Sequence, residues 1–403
     1  MTARSNTSAT VRIGTVSSVP DWRPQVVLVS HGYELIYERG FCNGVADAGV
    51  DCTLLGSDRT DVARLRPGVS VVNLRGSQAP QRSRLSKLLN LLRYHARLVL
   101  YVARRRPVVH VFGLIHPPVL VGVVEGYMFR WLAARYILTA HDLMPHDKHD
   151  AWHRWVFGLS YRLADCVVVH TEKMRSDIVA MHGVDRSRVV LMEHGIEPWD
   201  AAAASAPVHL AGKGDEGNEG DVSGLRLLFF GKVMRYKGLD VLLQALDGFD
   251  QPFQLRIAGA CQDPELTKAL EAAIAAHPAR SQIRWDNRYI EDTEIPGLFD
   301  WADVTVLPYR HIDQSGILFQ SLRYGVPVLA ARVGAFESYV TPTIGETFAP
   351  EDAAGCRDAL LRLSQRLGEL DQASVIRAGS RWEWGRTARA LLPSYRLGDG
   401  NTA

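Results

Sequence analysis

Two lysines five positions apart, Lys232 and Lys237, bracket a turn between the apolar run Leu227-Leu228-Phe229-Phe230 and a helix-like stretch after Gly238. Gly231 sits where the run ends, letting the backbone turn and a ligand come close. Two cations at a strand-to-helix turn match the charge of a diphosphate; the alternative is a pair of solvated loop charges. A second polar loop runs from Pro308 through Ile312 and Asp313 to Gln314-Ser315-Gly316 after the run Val304–Leu307. Ser315 is placed to cap a helix ending at Gly325, and the free N–H groups at that helix start form an anion site. Gln320, one helical turn on, presents an amide to hydroxyl groups. An ordinary βαβ unit is the alternative reading of this segment.

The amino-terminal half offers other chemistry. His141 ends the strand-like run Tyr136–Thr139, so its imidazole or its backbone would face a cleft; a histidine satisfied within a loop is the alternative. Glu34 follows the first strand and is a candidate general base if configuration is inverted, or else a carboxylate at a helix start. His146, His149 and His153 with Asp142, Asp147 and Asp150 have partial metal-ligand spacing. The pattern lacks specificity, and no metal is expected. From Arg82 to Arg106, eight cations, including Lys87, Arg93 and Arg97, are interleaved with leucines. This basic amphipathic pattern suits peripheral contact with a membrane surface, or a solvated helix with an inward leucine stripe.

Positioning these residues requires parallel sheets. Continuous apolar runs such as Val26–Val29, Val108–Phe112, Cys166–Val169, Leu225–Phe230, Phe253–Ala258 and Val326–Ala330 alternate with helical stretches, which predicts doubly wound α/β architecture. The 403 residues suit two domains. The expected division is an acceptor-side Rossmann-like domain over 1–200, a flexible linker over 201–224, a donor domain over 225–375, and a helical tail over 376–403 packing back on the first domain. Two such domains face a cleft, and ligands lie beyond the carboxyl ends of the strands. The nucleotide base is expected near Asn287-Arg288-Tyr289-Ile290. A net charge of +2 gives no reason to expect nucleic acid as a partner. Five scattered cysteines without C-x-x-C spacing indicate a reducing compartment. With no apolar leader and no 20-residue apolar span, a cytoplasmic protein, peripheral at the inner face of the membrane, is expected.

The ordered series Gly231-Lys232, Lys237-Gly238, Leu307-Pro308-Tyr309, Gln314-Ser315-Gly316, Gly325-Val326-Pro327-Val328 and Gly334-Ala335-Phe336-Glu337 resembles the donor domain of the retaining GT-B glycosyltransferases of family 4. The resemblance is strong over about 225–350 and weaker over 26–200. It implies that Lys232 and Lys237 hold the pyrophosphate of a nucleoside-diphosphate sugar and that the loop with Gly32 approaches donor phosphates or acceptor. It places Gln320 where the family has a ribose-binding glutamate, and Ile312 where it has a first glutamate. Ile312 cannot bond a sugar hydroxyl through its side chain; Asp313 is the nearest acid. The implied activity is hexosyl transfer to a glycan or lipid-linked acceptor with no cofactor beyond the donor. The rivals are an inverting glucuronosyltransferase, a sugar-nucleotide 2-epimerase and a non-catalytic nucleotide-sugar binder.

Overall fold

The computed structural model describes residues 25–31, 35–79, 81–114, 119–144, 150–197 and 224–397. The predicted leader, most of the predicted linker, Gly32, Glu34, His146, Asp147 and His149 lie outside them.

Two wholly parallel sheets organise the chain, as the apolar runs predict. The first has seven strands: β1 (Val26–Val29), β2 (Cys52–Gly56), β3 (Val69–Asn73), β4 (Val108–Val111), β5 (Arg135–Thr139), β6 (Cys166–Val169) and β7 (Val189–Leu191), in the order β3-β2-β1-β4-β5-β6-β7. The second has six: β8 (Leu225–Phe230), β9 (Phe253–Ala258), β10 (Ile283–Asp286), β11 (Val304–Leu307), β12 (Val328–Ala331) and β13 (Gly345–Phe348), in the order β10-β9-β8-β11-β12-β13. β1 and β4 are buried at every position, which is why they read as unbroken apolar runs rather than alternating ones. β13 was not anticipated. It is an edge strand whose central Glu346 and Thr347 are only half-buried, so the apolar signal is diluted.

In each sheet the strand order reverses beside the first strand. The loops after β1 and β4, and those after β8 and β11, therefore open on a crevice. Both lysine-bearing and helix-start loops of the second half flank its switch point. They are tied together: the Arg310 N–H donates to the Tyr236 carbonyl at 2.7 Å, and the Arg310 guanidinium bridges Asp240 at 2.7 Å and Glu351 at 2.8 Å.

The carboxyl-terminal segment crosses between the sheets. Helix Gln372–Gly379 stays with the second half, where the Gln372 amide donates to the Tyr324 carbonyl. The chain then pairs with the hinge, Ile196 N–H donating to Trp382 O at 2.7 Å and Trp384 N–H to Ile196 O at 3.1 Å. Beyond it, Trp384, Ala388, Leu391 and Tyr395 join the core of the first half. The sequence suggests one helical tail from Ala373 to Tyr395. It is instead broken into short helical pieces, because docking Trp384 needs a turn and Pro393 sits at the start of the last helix.

Trp384 fits because three glycines make room: a methyl group on Gly40, Gly44 or Gly195 would collide with its ring or backbone. Gly195→Ala is expected to lower stability by about 1–3 kcal/mol through overpacking, read as an earlier urea midpoint. An unchanged midpoint would show that the tryptophan seat is not tight.

Candidate functional site

A cavity of about 350 Å³ lies between the halves. Ile36, Tyr37, His194 and Glu197 line it from the first half; Gly231, Lys232, Tyr289, Ile290, Gly316 and Gln320 line it from the second. Six sequence-selected residues thus share one space. Gly231 has φ +93, and a Cβ there would sit 3.1 Å from Lys237 Nζ and 3.2 Å from Ile317 Cδ1. Any side chain would be both strained and crowded. The same numbers show that the β8 turn, the Lys237 ammonium and the start of helix Gly316–Tyr324 converge on one spot. Lys237 is buried at 7% exposure, its Nζ 5.4 Å from the Tyr309 ring centre. Lys232 is exposed at the rim.

Ser315 caps helix Gly316–Tyr324, its hydroxyl accepting from Ile317 N–H at 3.3 Å, and Gly325 closes the helix with φ 70. Gln314 Nε2 and Gln320 Oε1 are buried and have no hydrogen-bond partner among the described residues. An orphaned polar atom at a cavity is costly unless a ligand satisfies it; Gln320 lines the cavity, whereas Gln314 is not among its lining residues. Tyr289 is 65% exposed while Ile290 is buried beneath it, giving the cavity an apolar floor and an open aromatic edge.

Ile312 is part of the apolar core of the second half and lines, with Asp313, a second interdomain cavity that Leu143, Met144 and Lys173 reach from the first half. The side chain at the position of the family's first glutamate therefore offers no hydrogen bond there. Glu337 is exposed in the first turn of the short helix Phe336–Tyr339.

His141 stands behind Tyr37, ring centres 4.6 Å apart. Its Nε2–H donates to the Phe112 carbonyl at 2.6 Å, and its Nδ1 lies 3.3 Å from His170 Nε2. Burial, then the neighbouring His170 and His194, hold its pKa well below the ordinary histidine value. Burial likewise lowers His194 to about 3, His110 to about 3 and His170 to about 4. The imidazoles behind the cavity are therefore neutral at pH 7 and add no charge to it. His153, one of the metal candidates, instead pairs with Asp150 at 2.7 Å, the capping residue of helix Ala151–Leu163. Among the described residues no group of three potential ligands is arranged for a metal.

Several cavity residues were not selected from sequence. Glu197 receives Arg39 at 2.8 Å from the first half and Arg323 at 2.8 Å from the second, so one carboxylate clamps both halves. Burial raises the Glu197 pKa, but the two guanidinium groups outweigh it and hold the group ionised. His194 stacks on Phe319 across the hinge, ring centres 4.8 Å apart. The segment Glu193-His194-Gly195-Ile196 leads towards the predicted linker, and its role as a wall of the cavity depends on partners more than 100 residues away.

Residues 36–195 match the family model described as glycosyl transferase 4-like domain, and residues 224–366 that described as glycosyl transferases group 1. A D-inositol 3-phosphate glycosyltransferase of Arthrobacter sp. (strain FB24) is 24% identical over 396 residues, covering 89% of each chain. One from Xylanimonas cellulosilytica is 27% identical over 248 residues, 58% of this chain and 57% of that one. The match thus spans little more than half the length of some curated relatives. In fold, the chain is similar to sucrose-phosphate synthase from Thermosynechococcus elongatus (TM-score 0.68, 18% identity, 92% of this chain and 97% of that one). It is also similar to Anabaena HepE in complex with UDP and glucose (TM-score 0.66, 14% identity, 92% and 99%).

The buried histidines set an acid limit. Their folded pKa values lie below the unfolded value near 6.5, so their contribution is complete above about pH 6.5 and is lost as pH falls towards 4. Denaturant unfolding is expected to lose on the order of 1–2 kcal/mol per histidine between pH 7 and 5. His110→Asn should make that limb shallower; an identical slope would remove His110 from the account.

Proposed function

The chain belongs to the GT-B glycosyltransferases of family 4 type, and from that membership we propose that it moves a hexosyl group from a nucleoside-diphosphate sugar to a glycan or lipid-linked acceptor, with retention. The observation that carries this reading is the convergence of the Gly231 turn, Lys237 and the Ser315-capped helix start at one cavity between the halves.

In this reading the diphosphate lies across the β8 turn, with Lys232 and Lys237 supplying positive charge and the N–H groups after Ser315 donating to its oxygens. As the bond from the anomeric carbon to the diphosphate breaks, negative charge grows on the leaving oxygen. Cations and dipoles already held in place by Gly231, Arg310 and the Ser315 cap stabilise that charge without reorganising. Gln320 takes the ribose hydroxyls through its orphaned amide oxygen, Gln314 donates to a donor oxygen, and the base rests on Ile290 beside Tyr289. On the first half's side, where the transferred sugar lies, His141 backs Tyr37 on the cavity wall. Closure of the halves about residues 193–197 excludes water and limits hydrolysis. The chemistry needs no cofactor and no metal, because lysines and helix N–H groups supply the positive charge. Anabaena HepE, solved with UDP and glucose, supports a nucleotide sugar as donor.

A lipid-linked acceptor fits the outer face of the first half. Helix Arg84–Arg105 lies against helix Val119–Leu132, joined by His95 to Glu125 at 2.8 Å, and that helix lies against Ala151–Leu163. Leu85, Leu88, Leu92 and Leu100, then Val124 and Trp131, then Trp152 and Trp155 all point outward. Of the leucines of the first helix, Leu98 joins Tyr94 and Val102 in the inward stripe, whereas Leu85, Leu88, Leu92 and Leu100 do not. Exposed leucines and tryptophans among arginines suit an anionic bilayer interface. No helix among the described residues is long and apolar enough to cross a membrane.

Nucleotide stabilisation, sugar transfer and vesicle binding test these readings. One of UDP, GDP and ADP should stabilise the protein, by about 2.7 kcal/mol at a hundredfold excess over Kd. Lys237→Ala should cut sugar transfer about 10²–10³-fold; wild-type transfer by that variant would end the electrostatic account, and the anomeric proton of the product reports retention. The protein should also sediment with anionic phospholipid vesicles at low salt. Leu88→Glu with Leu92→Glu should abolish that binding while leaving nucleotide stabilisation intact, and unchanged sedimentation would refute the membrane face.

A further inference from the structure

A second recess, of about 200 Å³, opens on the carboxyl side of the first sheet between the loop after β3 and helix Arg84–Arg105. It is smaller than a whole-ligand site and suits a single headgroup. Arg75, Arg82 and Lys87 line it together with Asn90 and Tyr94, and no carboxylate does. Arg75 leaves β3 two residues after its end. Its Nε and Nη1 are buried and have no hydrogen-bond partner among the described residues, while its guanidinium carbon lies 5.4 Å from the centre of the Tyr94 ring. Arg82 is fixed rather than loose: Nη1 donates to Ser77 O at 2.8 Å, and Nε and Nη2 donate to Ser86 Oγ at 3.1 and 2.7 Å. Among the described residues neither arginine makes a salt bridge.

Buried guanidinium N–H groups without acceptors cost several kcal/mol in desolvation. A protein that orders them in a recess lined by further cations has a site shaped for an anion, and the forked donors of arginine suit phosphate oxygens. One contact leads from the recess towards the cleft side. Tyr94 OH meets His31 Nδ1 at 3.0 Å, and His31 stands two residues after the end of β1 and five before Ile36 on the wall of the main cavity. Glu125 holds His31 from the other side at 3.2 Å. Burial pushes the Glu125 carboxyl up, but His31 and His95 outweigh it and bring it to about 2, so it is ionised and stands between these two imidazoles.

We infer that Arg75 and Arg82 form a phosphate subsite on the acceptor side, which holds the phosphate of the acceptor while its hydroxyl reaches the cleft. Assigning the anion to an acceptor rests on the transferase reading; the anion site itself does not. Two sources share this chemistry, a soluble sugar phosphate and a lipid-linked phosphate whose tail lies along the outward leucines of helix Arg84–Arg105.

The test titrates inorganic phosphate, followed by its ³¹P line width at constant ionic strength, into the wild type, Arg75→Gln, Arg82→Gln and Lys237→Ala. Circular dichroism checks that each variant is folded. Phosphate binding should weaken about 10–100-fold in Arg75→Gln, weaken in Arg82→Gln, and persist in Lys237→Ala. Binding unchanged in both arginine variants, or lost only with Lys237, would overturn the subsite. Displacement of phosphate by hexose 6-phosphate identifies the soluble source, and displacement by vesicles containing phosphatidic acid the lipid source; displacement by neither overturns the acceptor assignment. If UDP, GDP and ADP all fail to stabilise the protein while Arg75-dependent phosphate binding stands, it is the transferase reading that has failed.

Discussion

The arrangement of the two sheets depends on a short crossing of chain. Residues 382–384 pair with Ile196 through two backbone hydrogen bonds, and the Trp384 ring fills a seat made by three glycines of the first half. A large aromatic side chain buried in this way supplies much of the apolar contact between distant segments. Because the seat belongs to the first half and the preceding helix to the second, the crossing sets how the carboxyl edges of both sheets face each other. Glu197, gripped by Arg39 and Arg323, adds a charged clamp at the same hinge. Everything in the cleft is placed relative to this joint.

Within that frame the second half builds the proposed anion site with local means. A glycine with positive φ opens the turn after β8, a serine caps the helix after β11, and Arg310 ties the two loops together. These devices fix charge and dipoles before any ligand arrives, which is the condition for stabilising a leaving group electrostatically. The first half contributes neutral imidazoles and aromatic rings around Tyr37 rather than further cations, so its side of the main cavity suits a sugar better than a phosphate. Its own positive charge lies apart, around Arg75 and along helix Arg84–Arg105.

The departure at Ile312 is consistent with this division. The isoleucine packs in the apolar core beneath the loop, and among the described residues the orphaned polar atoms on the wall of the main cavity are Gln320 Oε1 and Arg323 Nε, neither of them a carboxylate. A cavity that presents amides to the donor has less negative charge to repel a diphosphate than one presenting glutamates.

The sequence by itself determined what depends on neighbours in the chain. Buried parallel strands read as apolar runs because both of their faces are covered, the Ser315 cap and Gly325 stop follow from helix-end hydrogen bonding, and the Gly231-Lys232…Lys237-Gly238 series marks the anion turn. The edge strand β13 escaped because half its residues face away from the core. Only the tertiary structure decided what depends on distant partners: that Glu197 clamps two arginines, that Trp384 sits on three glycines, that Leu85, Leu88, Leu92 and Leu100 point outward while Leu98 points inward, and that Nε and Nη1 of Arg75 are left without acceptors. A one-dimensional pattern records the period of burial along an element, but which face is covered, and by what, is set by elements that can be hundreds of residues away.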